Sequence, residues 1–275
     1  MTAPDREGPL VSIVVPVFQP HPVYFRQAIE SVLNQSFSDL EVIIVEDPSS
    51  SSGRDLLAGV HDPRVLHIVN DQRTSLSRQH NRGLSEARGR FVCRFDADDI
   101  SEPDRVQREL DFLRAHPDVD VVGSCLTIID EGSRVVGERR YPTDHDAIVV
   151  SLQRYNPIAN STVMFRREVY ERFGGWRDSN LPAQDYEWYS RLGTGGARFA
   201  NLPEPLVRYR LHPGSIKSSK LRDTIRTTID VKKMYWERDM DLSSRALMTA
   251  ERLLLWLPAP FVLKLFTTIR YGRRI

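Results

Sequence analysis

Through the first 130 residues, short apolar runs alternate with segments whose apolar residues recur at helical spacing. The continuous runs predict buried strands, and the 3.6-residue spacing between them predicts amphipathic helices. Such alternation is typical of a mostly parallel sheet that carries helices on both faces, so the sequence predicts an α/β fold. The predicted strands span residues 10–18, 40–47, 65–70 and 90–99, and the predicted helices follow the first strand, span 76–88 and begin near Pro103.

Acidic side chains stand at the carboxyl ends of two predicted strands, where open α/β sheets bind ligands. Asp47 ends the second strand, and Asp96, Asp98 and Asp99 end the fourth. Three carboxylates within four residues repel one another, and a divalent cation that prefers oxygen ligands, Mg²⁺ or Mn²⁺, would compensate for them. The alternative is that Asp99 or Ser101 caps the following helix. Because capping accounts for one acid and not three, the cluster favours a metal that also binds a diphosphate.

The composition is that of an ordinary globular protein, with 27% charged and 40% hydrophobic residues in a chain of 275. The formal net charge of +1 argues against a dedicated nucleic-acid-binding protein, which usually carries a basic excess. Cys93 and Cys125 lie in apolar runs and are expected to be buried, reduced thiols. Residues 1–10 have neither the basic start nor the apolar stretch of a secretion signal, so the expected location is the cytosol or a membrane face turned toward it.

Residues 252–275 differ from the rest of the chain, since they contain five basic side chains and no acid. Their apolar stretch, 253–266, is shorter than the roughly 20 residues needed to span a bilayer, and two prolines and Lys264 interrupt it. We expect either an interfacial membrane anchor with a basic rim, or a C-terminal helix that packs on the domain or on a second copy of the chain. The second alternative leaves a homo-oligomer open.

Seven sequence motifs follow one another between residues 10 and 217. They are SIVVPVF, NQSFSDLEVIIVED, LSRQHNRGL, ARGRFVCRFDADDISEPDRVQRELDFL, NSTVMFRREVY with FGGW, QDYEWYSRL and RYRLHPGSI. In this order they resemble the family 2 glycosyltransferases, whose GT-A fold is a Rossmann-like, mostly parallel central sheet flanked by helices. The resemblance implies a glycosyltransferase domain over residues 1–217, with a nucleotide-sugar-binding half at about 8–130 and an acceptor-binding half at 131–217. Residues 218–275 lie beyond the resemblance and are expected to form a C-terminal helical appendage, for which membrane association and packing on protein are the alternatives.

The resemblance also implies which residues bind the nucleotide sugar. Pro16 and Phe18 would line the nucleotide pocket, with Phe18 against the base. Asp47 would accept a hydrogen bond from the base, which favours UDP. Arg78 would contact the diphosphate, where a charge-assisted donor offsets phosphate charge. Asp96 would reach the ribose or the metal.

The metal, Mn²⁺ or Mg²⁺, would be held mainly by Asp98, with Asp96 and His212 as further ligands in the resemblance. Pro48 stands where the family usually has Gly, a departure that bears on the identity of the base. Residues 210–220, which include Ser215, are the candidate lid over the donor, because the reaction must exclude water.

A third acidic group, Asp185 and Glu187, opens a predicted helix in the acceptor half. The resemblance makes Asp185 the catalytic base, although its neighbour is Gln184 where the family usually has Glu. The predicted acceptor-binding residues are Asn160, Trp176 and Trp188. Aromatic faces pack against sugar C–H surfaces or fill a core, and both alternatives stay open for the two tryptophans.

The implied reaction moves a sugar, with inversion, from a nucleoside-diphosphate sugar to an acceptor hydroxyl during synthesis of a cell-surface polysaccharide or glycolipid. A sugar nucleotidyltransferase is one alternative, although residues 10–22 lack the glycine-rich, basic loop usual in such enzymes. A nucleotide-sugar-binding subunit with weak catalysis is the other, which Gln184 keeps open. The expected partners are the donor, a saccharide or lipid-linked saccharide acceptor, and a membrane surface contacted through residues 252–275 on its cytosolic side.

Overall fold

The computed structural model describes residues 8–178, 182–212 and 221–257. In these ranges the chain forms one nine-stranded sheet covered by helices. The strands are β1 Val11–Val17, β2 Leu40–Glu46, β3 Val65–Val69, β4 Phe91–Arg94, β5 Ile100–Ser101, β6 Val121–Ile129, β7 Val135–Arg139, β8 Met164–Arg166 and β9 Phe199–Arg210. The helices are α1 Pro22–Leu33, α2 Gly53–Leu56, α3 Leu76–Glu86, α4 Arg105–Ala115, α5 His145–Leu152, α6 Arg167–Phe173, α7 Gln184–Thr194, α8 Leu221–Tyr235 and α9 Leu242–Leu254.

The sheet has the strand order β3-β2-β1-β4-β8-β6-β9-β5, with β7 paired to β6. β1 is parallel to β2 and β4, and β2 is parallel to β3, so the first part of the chain forms a parallel sheet. β8 runs antiparallel between β4 and β6, and β6 is parallel to β9. The predicted α/β fold with a mostly parallel sheet is therefore confirmed.

Both faces of the central strands are buried because alternate side chains enter two separate cores. On β1, Val14 packs into the core that contains α7 and α8, whereas Ile13 packs into the core beneath α1 and α4. α3 lies very close to β1, and Gly83 permits this approach: a Cβ at Gly83 would lie 2.3 Å from Val14 Cγ1. Cys93 and Cys125 are buried and free, as predicted.

The fourth predicted strand is shorter than its sequence pattern, because β4 ends at Arg94. The acids that follow, Asp96, Asp98 and Asp99, do not pair with a neighbouring strand and contact residues from distant parts of the chain. α4 begins at Arg105 with Asp104 as its N-cap residue. The alternative in which Asp99 or Ser101 caps this helix is therefore wrong.

A C-terminal pair of helices, α8 and α9, packs against the rest of the protein through α7. Trp236 donates a hydrogen bond from Nε1 to Ser190 Oγ at 3.0 Å, and Ile225 and Ile229 join the same core as α7. The fully buried Lys232 ammonium bonds both carboxylate oxygens of Glu251, which ties α8 to α9. The predicted C-terminal helical appendage is confirmed over residues 221–257. Within the ranges that the structure describes, none of the helices has the length and apolar character to cross a membrane.

Candidate active site

The predicted nucleotide-binding residues lie along one edge of the sheet. The carboxyl ends of β1, β2 and β4 meet there because these strands are parallel. Phe18, Asp47 and Asp96 come after the ends of those three strands. α3 begins at the same edge, since it follows β3 and runs back toward the start of β4. Arg78, in the first turn of α3, is therefore brought to the same edge as the acids.

At the end of β1, Phe18 is covered by an arginine that the sequence did not single out. The Arg73 guanidinium carbon lies 4.1 Å from the Phe18 ring centroid, within the range of a cation–π contact. Arg73 was missed because its partner lies more than 50 residues earlier and no local pattern marks it. Pro16, which is predicted to line the nucleotide pocket, is buried within β1, and its contact with the nucleotide stays a prediction.

Asp47 holds the loop that leads into α3. The residue is 1% exposed. Its Oδ1 accepts a hydrogen bond from Asn70 Nδ2 at 2.7 Å, and its Oδ2 accepts one from the backbone N–H of Thr74 at 2.7 Å. The Thr74 hydroxyl also donates to this carboxylate, at 3.0 Å. In this structure the oxygens predicted to meet the base therefore bind the chain's own loop.

Arg78 forms an ion pair with Asp178. Its Nε and Nη2 lie 2.7 and 2.6 Å from Asp178 Oδ2. Both side chains are about half exposed, so the guanidinium is also open to solvent and ligands. A shallow cleft of about 380 Å³ runs beside Arg78 along the outer face of α3, where Asn81, Arg82 and other polar residues line it.

Two acids of the Asp96–Asp99 cluster are committed to neighbours. Asp96 Oδ2 accepts hydrogen bonds from Arg94 Nη1 and, at 2.7 Å, from the Ser161 hydroxyl. Asp99 is fully buried, contacts Ser161 Oγ, and accepts the backbone N–H of Arg210 at 2.9 Å. Burial, together with the two neighbouring carboxylates, raises the pKa of Asp99 well above its usual range. A protonated Asp99 can donate to Ser161 while Ser161 donates to Asp96.

Beneath this cluster lies the buried Arg94, which is 2% exposed. Its Nε donates to His80 Nε2 at 3.2 Å. With the Asn160 amide oriented to satisfy both of its neighbours, the amide oxygen accepts from Arg94 at 3.1 Å and the amide nitrogen donates to the Tyr189 hydroxyl at 2.9 Å. Arg94 thus links Asp96 on the donor side to Tyr189 on α7.

Asp98 faces His212, and the structure thus brings two of the predicted metal ligands together. Asp98 Oδ2 lies 3.0 Å from His212 Nε2, and the Asp98 side chain is 38% exposed. Burial, and then the Asp96 carboxylate, raise the pKa of Asp98, an effect that a cation would offset.

A carboxylate oxygen and an imidazole nitrogen suit Mn²⁺, and Mg²⁺ usually takes one or two carboxylates and completes its shell with water and phosphate oxygens. Asp98 and His212 therefore fit a divalent cation whose remaining ligands are water and diphosphate oxygens. Asp96 is less well placed, since its Oδ2 is already bound. In residues 8–178, 182–212 and 221–257, no group of three or more His, Cys, Asp or Glu side chains is arranged to hold a metal by itself.

The predicted base, Asp185, lies in the first turn of α7, where its negative charge interacts favourably with the helix dipole. Its Oδ2 accepts a hydrogen bond from the Asn156 amide at 3.0 Å. Gln184 Oε1 accepts a hydrogen bond from the Ser77 hydroxyl, so the start of α7 contacts the first turn of α3. The residue before the helix, Ala183, has φ of 61°, an unusual conformation for a residue other than Gly.

Glu187 was grouped with Asp185 from the sequence, but the structure gives it a different environment. Its Oε1 lies 3.2 Å from Arg177 Nε and 3.1 Å from Arg191 Nε, and it accepts the Tyr235 hydroxyl at 2.5 Å. Burial, with this hydrogen bond, raises the pKa of Tyr235 to about 12. Glu187 therefore ties α7 to α8 and to the chain before α7.

The two tryptophans that are predicted to contact the acceptor are buried in this structure, and their role in acceptor binding stays a prediction. Trp176 is 3% exposed and Trp188 is fully buried. Their rings stack with centroids 4.3 Å apart, and Trp176 also stacks on His80 at 4.6 Å. These indoles are part of the core, where burying large aromatic surfaces stabilises the fold. Asn160, the third predicted acceptor residue, is half-buried in the Arg94 network.

Some predicted features lie outside the described residues. These are residues 213–220 of the candidate lid, with Ser215, and residues 258–275 of the candidate membrane anchor. The described start of the anchor exposes apolar side chains: Leu253 is 63% exposed and Trp256 is 86% exposed.

The fold resembles solved glycosyltransferases. The structure of S. aureus TarS residues 1–349 in complex with UDP is similar to this chain, with a TM-score of 0.65 and 14% sequence identity. The match covers 86% of this chain and 69% of the TarS chain. The mannosyltransferase PcManGT from Pyrobaculum calidifontis, solved with GDP-Man and Mn²⁺, is similar to this chain with a TM-score of 0.61 and 18% sequence identity. That match covers 98% of this chain and 78% of the PcManGT chain. These likenesses define the class of the fold, GT-A.

Sequence comparison then gives the family. The model of glycosyl transferase family 2 matches residues 12–174. An uncharacterized glycosyltransferase of Haemophilus influenzae is 31% identical over 221 residues, which are 76% of this chain and 68% of the relative. The O-antigen biosynthesis glycosyltransferase WbnJ of Escherichia coli is 26% identical over 216 residues, 77% of this chain and 84% of the relative. The chain belongs to glycosyl transferase family 2, as the motif order implied.

Proposed function

We propose that the protein transfers a sugar from a nucleoside-diphosphate sugar to an acceptor hydroxyl with inversion at the anomeric carbon. One observation carries the proposal: Asp98 with His212 and Asp185 with Asn156 form two separate polar contacts, and the Arg94 charge interacts with both acids. One site suits the leaving diphosphate, and the other suits the attacking alcohol. The division into a donor half at 8–130 and an acceptor half at 131–217 is part of this proposal.

In the proposed reaction, the acceptor oxygen attacks the anomeric carbon from the face opposite the diphosphate. The new carbon–oxygen bond forms as the bond to the diphosphate oxygen breaks, and the nucleoside diphosphate leaves. Asp185 takes the acceptor's hydroxyl proton as general base, for which it must come within about 2.6–3.2 Å of that oxygen. A single displacement of this kind inverts the anomeric configuration.

The leaving diphosphate is stabilised by positive charge at the sheet edge in this proposal. Asp98 and His212 would hold a divalent cation, which would supply Lewis-acid stabilisation of the charge on the diphosphate when bound. Arg78 adds a charge-assisted hydrogen-bond donor from the first turn of α3. Phe18, with Arg73 over its ring, offers a surface on which a base can stack.

The solved structures support a nucleotide-sugar donor, since TarS was solved with UDP and PcManGT with GDP-Man and Mn²⁺. We favour UDP because of the resemblance at Asp47. The name of WbnJ, which refers to O-antigen biosynthesis, supports a role in cell-surface polysaccharide or glycolipid synthesis.

A thermal-shift screen of UDP, GDP, ADP, CDP and dTDP, with and without Mn²⁺, tests the donor and the metal together. A ligand at a hundred times its Kd should raise Tm by about 5–10 °C, because it binds only the folded state. In Asp98→Asn the part of the shift that depends on Mn²⁺ should disappear. Asp104→Asn, an exposed acid at the start of α4, is the matched control and should keep it. An unchanged Mn²⁺ effect in Asp98→Asn contradicts the proposed metal site.

We also propose that residues 252–275 attach the protein to the cytosolic face of a membrane, where a lipid-linked saccharide is the acceptor. Exposed Trp256 and Leu253, followed by an apolar and basic sequence without acids, support this attachment. Removal of residues 258–275 should abolish co-sedimentation with anionic vesicles. If the full chain instead forms dimers in solution and does not sediment with vesicles, residues 252–275 form an interface between two copies of the chain.

A further inference from the structure

The short stretch before α7, residues 174–178, is fastened to α3 and to α7, and we call it the bridging segment. On the α3 side, Asn81 bonds the backbone of Trp176 twice: Nδ2 donates to the carbonyl at 2.7 Å, and Oδ1 accepts from the N–H at 3.0 Å. On the α7 side, Arg191 Nη2 donates to the Gly175 carbonyl at 2.6 Å. The segment therefore connects the helix that carries Arg78 with the helix that carries Asp185.

At the end of the bridging segment, Asp178 places a carboxylate at the N-terminus of α3. Its Oδ2 accepts a hydrogen bond from Arg78 Nε at 2.7 Å and lies 2.6 Å from Arg78 Nη2, and its Oδ1 accepts a hydrogen bond from the Ser75 hydroxyl at 2.9 Å. Ser75 is also the N-cap residue of this helix. The positive end of the helix dipole, the guanidinium and the hydroxyl favour an anion there. The hydrogen bonds from Arg78 and Ser75 accordingly lower the pKa of Asp178.

We infer that Asp178 sets the affinity for the nucleotide donor by competing with its diphosphate for Arg78. The inference rests on the proposed function, in which Arg78 contacts the diphosphate. In the structure, the Asp178 carboxylate forms an ion pair with the Arg78 guanidinium, which is the group that a phosphate would bind. A diphosphate carries more charge than one carboxylate and presents more acceptor oxygens, so it is the stronger partner for an arginine.

The exchange of partners costs little because the ion pair is exposed. The side chains of Arg78 and Asp178 are 58% and 47% exposed, and ion pairs of this kind contribute little free energy in water. A buried pair would resist exchange, since separating it would leave an uncompensated charge. An exposed pair can instead lower the donor affinity by a modest factor while leaving the site accessible.

The competition also connects donor binding to the base. Arg177, the neighbour of Asp178, lies 3.2 Å from Glu187 on α7 through its Nε. When the diphosphate takes Arg78, Asp178 loses its hydrogen bond and ion pair with Arg78, and the bridging segment keeps Asn81 and Ser75 as its contacts with α3. Donor binding thereby changes the contacts of the segment that leads into the helix of Asp185.

The test is a thermodynamic cycle that needs no acceptor. Binding of UDP and GDP in the presence of Mn²⁺ is measured by calorimetry for the wild type, Asp178→Asn, Arg78→Gln and the double variant. Asp118→Asn is the matched control, because Asp118 forms a similarly exposed ion pair with Arg198 at 3.2 Å. Asp178→Asn should tighten nucleotide binding by about two- to fivefold, the range expected for loss of an exposed ion pair that competes with the ligand.

Four results decide the inference. The inference is supported if Asp178→Asn tightens nucleotide binding, if this tightening largely disappears in the Arg78→Gln background, and if Asp118→Asn leaves nucleotide binding unchanged. Weaker or unchanged binding in Asp178→Asn overturns it and leaves Asp178 as a fastening of the bridging segment. Equal tightening in both backgrounds also overturns it, since the effect would not pass through Arg78. If neither the wild type nor Asp178→Asn binds any nucleotide, the proposed function fails together with this inference, and this result is distinct from the other three.

Discussion

The acids after β4 and the acids at the start of α7 are arranged alike. In the first group, Asp96 is held by Arg94 and Ser161, and Asp99 is buried, whereas Asp98 faces His212 and is partly exposed. In the second group, Glu187 is held by two arginines and a tyrosine, whereas Asp185 accepts a hydrogen bond from the neutral Asn156 amide. In each group, one partly exposed or half-buried acid contacts an imidazole or a neutral amide in place of an arginine, and the proposed chemistry assigns its function to that acid.

This comparison separates acids that hold the site together from acids that act on a ligand. A carboxylate that is paired permanently with arginines is neutralised by the fold, so its removal should affect stability. A carboxylate without an arginine partner has oxygens available to bind a metal or to accept a proton, so its removal should affect activity. Substitutions in the two classes should therefore give different readouts.

The largest expected effect is the loss of the proposed base. Asp185→Asn should lower the rate of nucleoside diphosphate release from the donor found in the thermal-shift screen by about 10²–10⁴-fold, the usual contribution of a general base. Nucleotide binding and Tm should change little, because an Asn side chain can still accept the hydrogen bond from Asn156.

Glu187→Gln is the paired control for this experiment. It should lower stability by about 1–2 kcal/mol through its charged hydrogen bonds, and should reduce the rate much less than Asp185→Asn does. Equal losses of rate in the two variants would contradict the distinction between them.

A smaller effect, on stability, is expected from Arg94. Arg94→Met removes the buried arginine that pairs with Asp96 and leaves the carboxylate beside an apolar side chain. The free energy of unfolding should fall by about 3–5 kcal/mol, as it does when other buried ion pairs are broken. Chemical denaturation measures this loss. In Arg94→Met with Asp96→Asn, part of the stability should return, because the uncompensated charge is gone. If the second substitution adds to the loss, Arg94 and Asp96 do not depend on each other.

The smallest effect concerns pH and the histidine beside Arg94. Burial, and then the Arg94 charge, hold the pKa of His80 well below its usual value. The folded state therefore binds this proton less readily than the unfolded state does, so the contribution to stability is complete above about pH 6.5 and is lost as the pH falls below it.

The loss attributable to His80 should be at most about 1.4 kcal/mol per pH unit. The free energy of unfolding of the wild type should thus fall more steeply between pH 6.5 and 5 than that of His80→Gln, which keeps a neutral side chain at this position. Parallel curves for the two proteins would show that the buried ring does not resist protonation.

Much of the fold could be predicted from the sequence because its signals are local. The apolar runs of β1, β2 and β3 match the observed strands to within one residue at each end, since continuous burial requires continuous apolar sequence. The acid clusters were recognisable for the same reason, as they stand directly after strands. The burial of Trp176 and Trp188 was not predictable, because an aromatic residue follows the same local pattern in a core and in a pocket.

The α/β sheet, the family and the positions of the candidate acids could be inferred from the amino-acid sequence, because each depends on local patterns or on the order of short motifs. The folded chain was needed to learn which acids are already paired. Ser161 and Asp96 are 65 positions apart, and the Arg210 N–H that bonds Asp99 is 111 positions away. A carboxylate's chemistry depends on the charges and donors within a few ångströms, and folding brings these from parts of the chain that no local pattern connects.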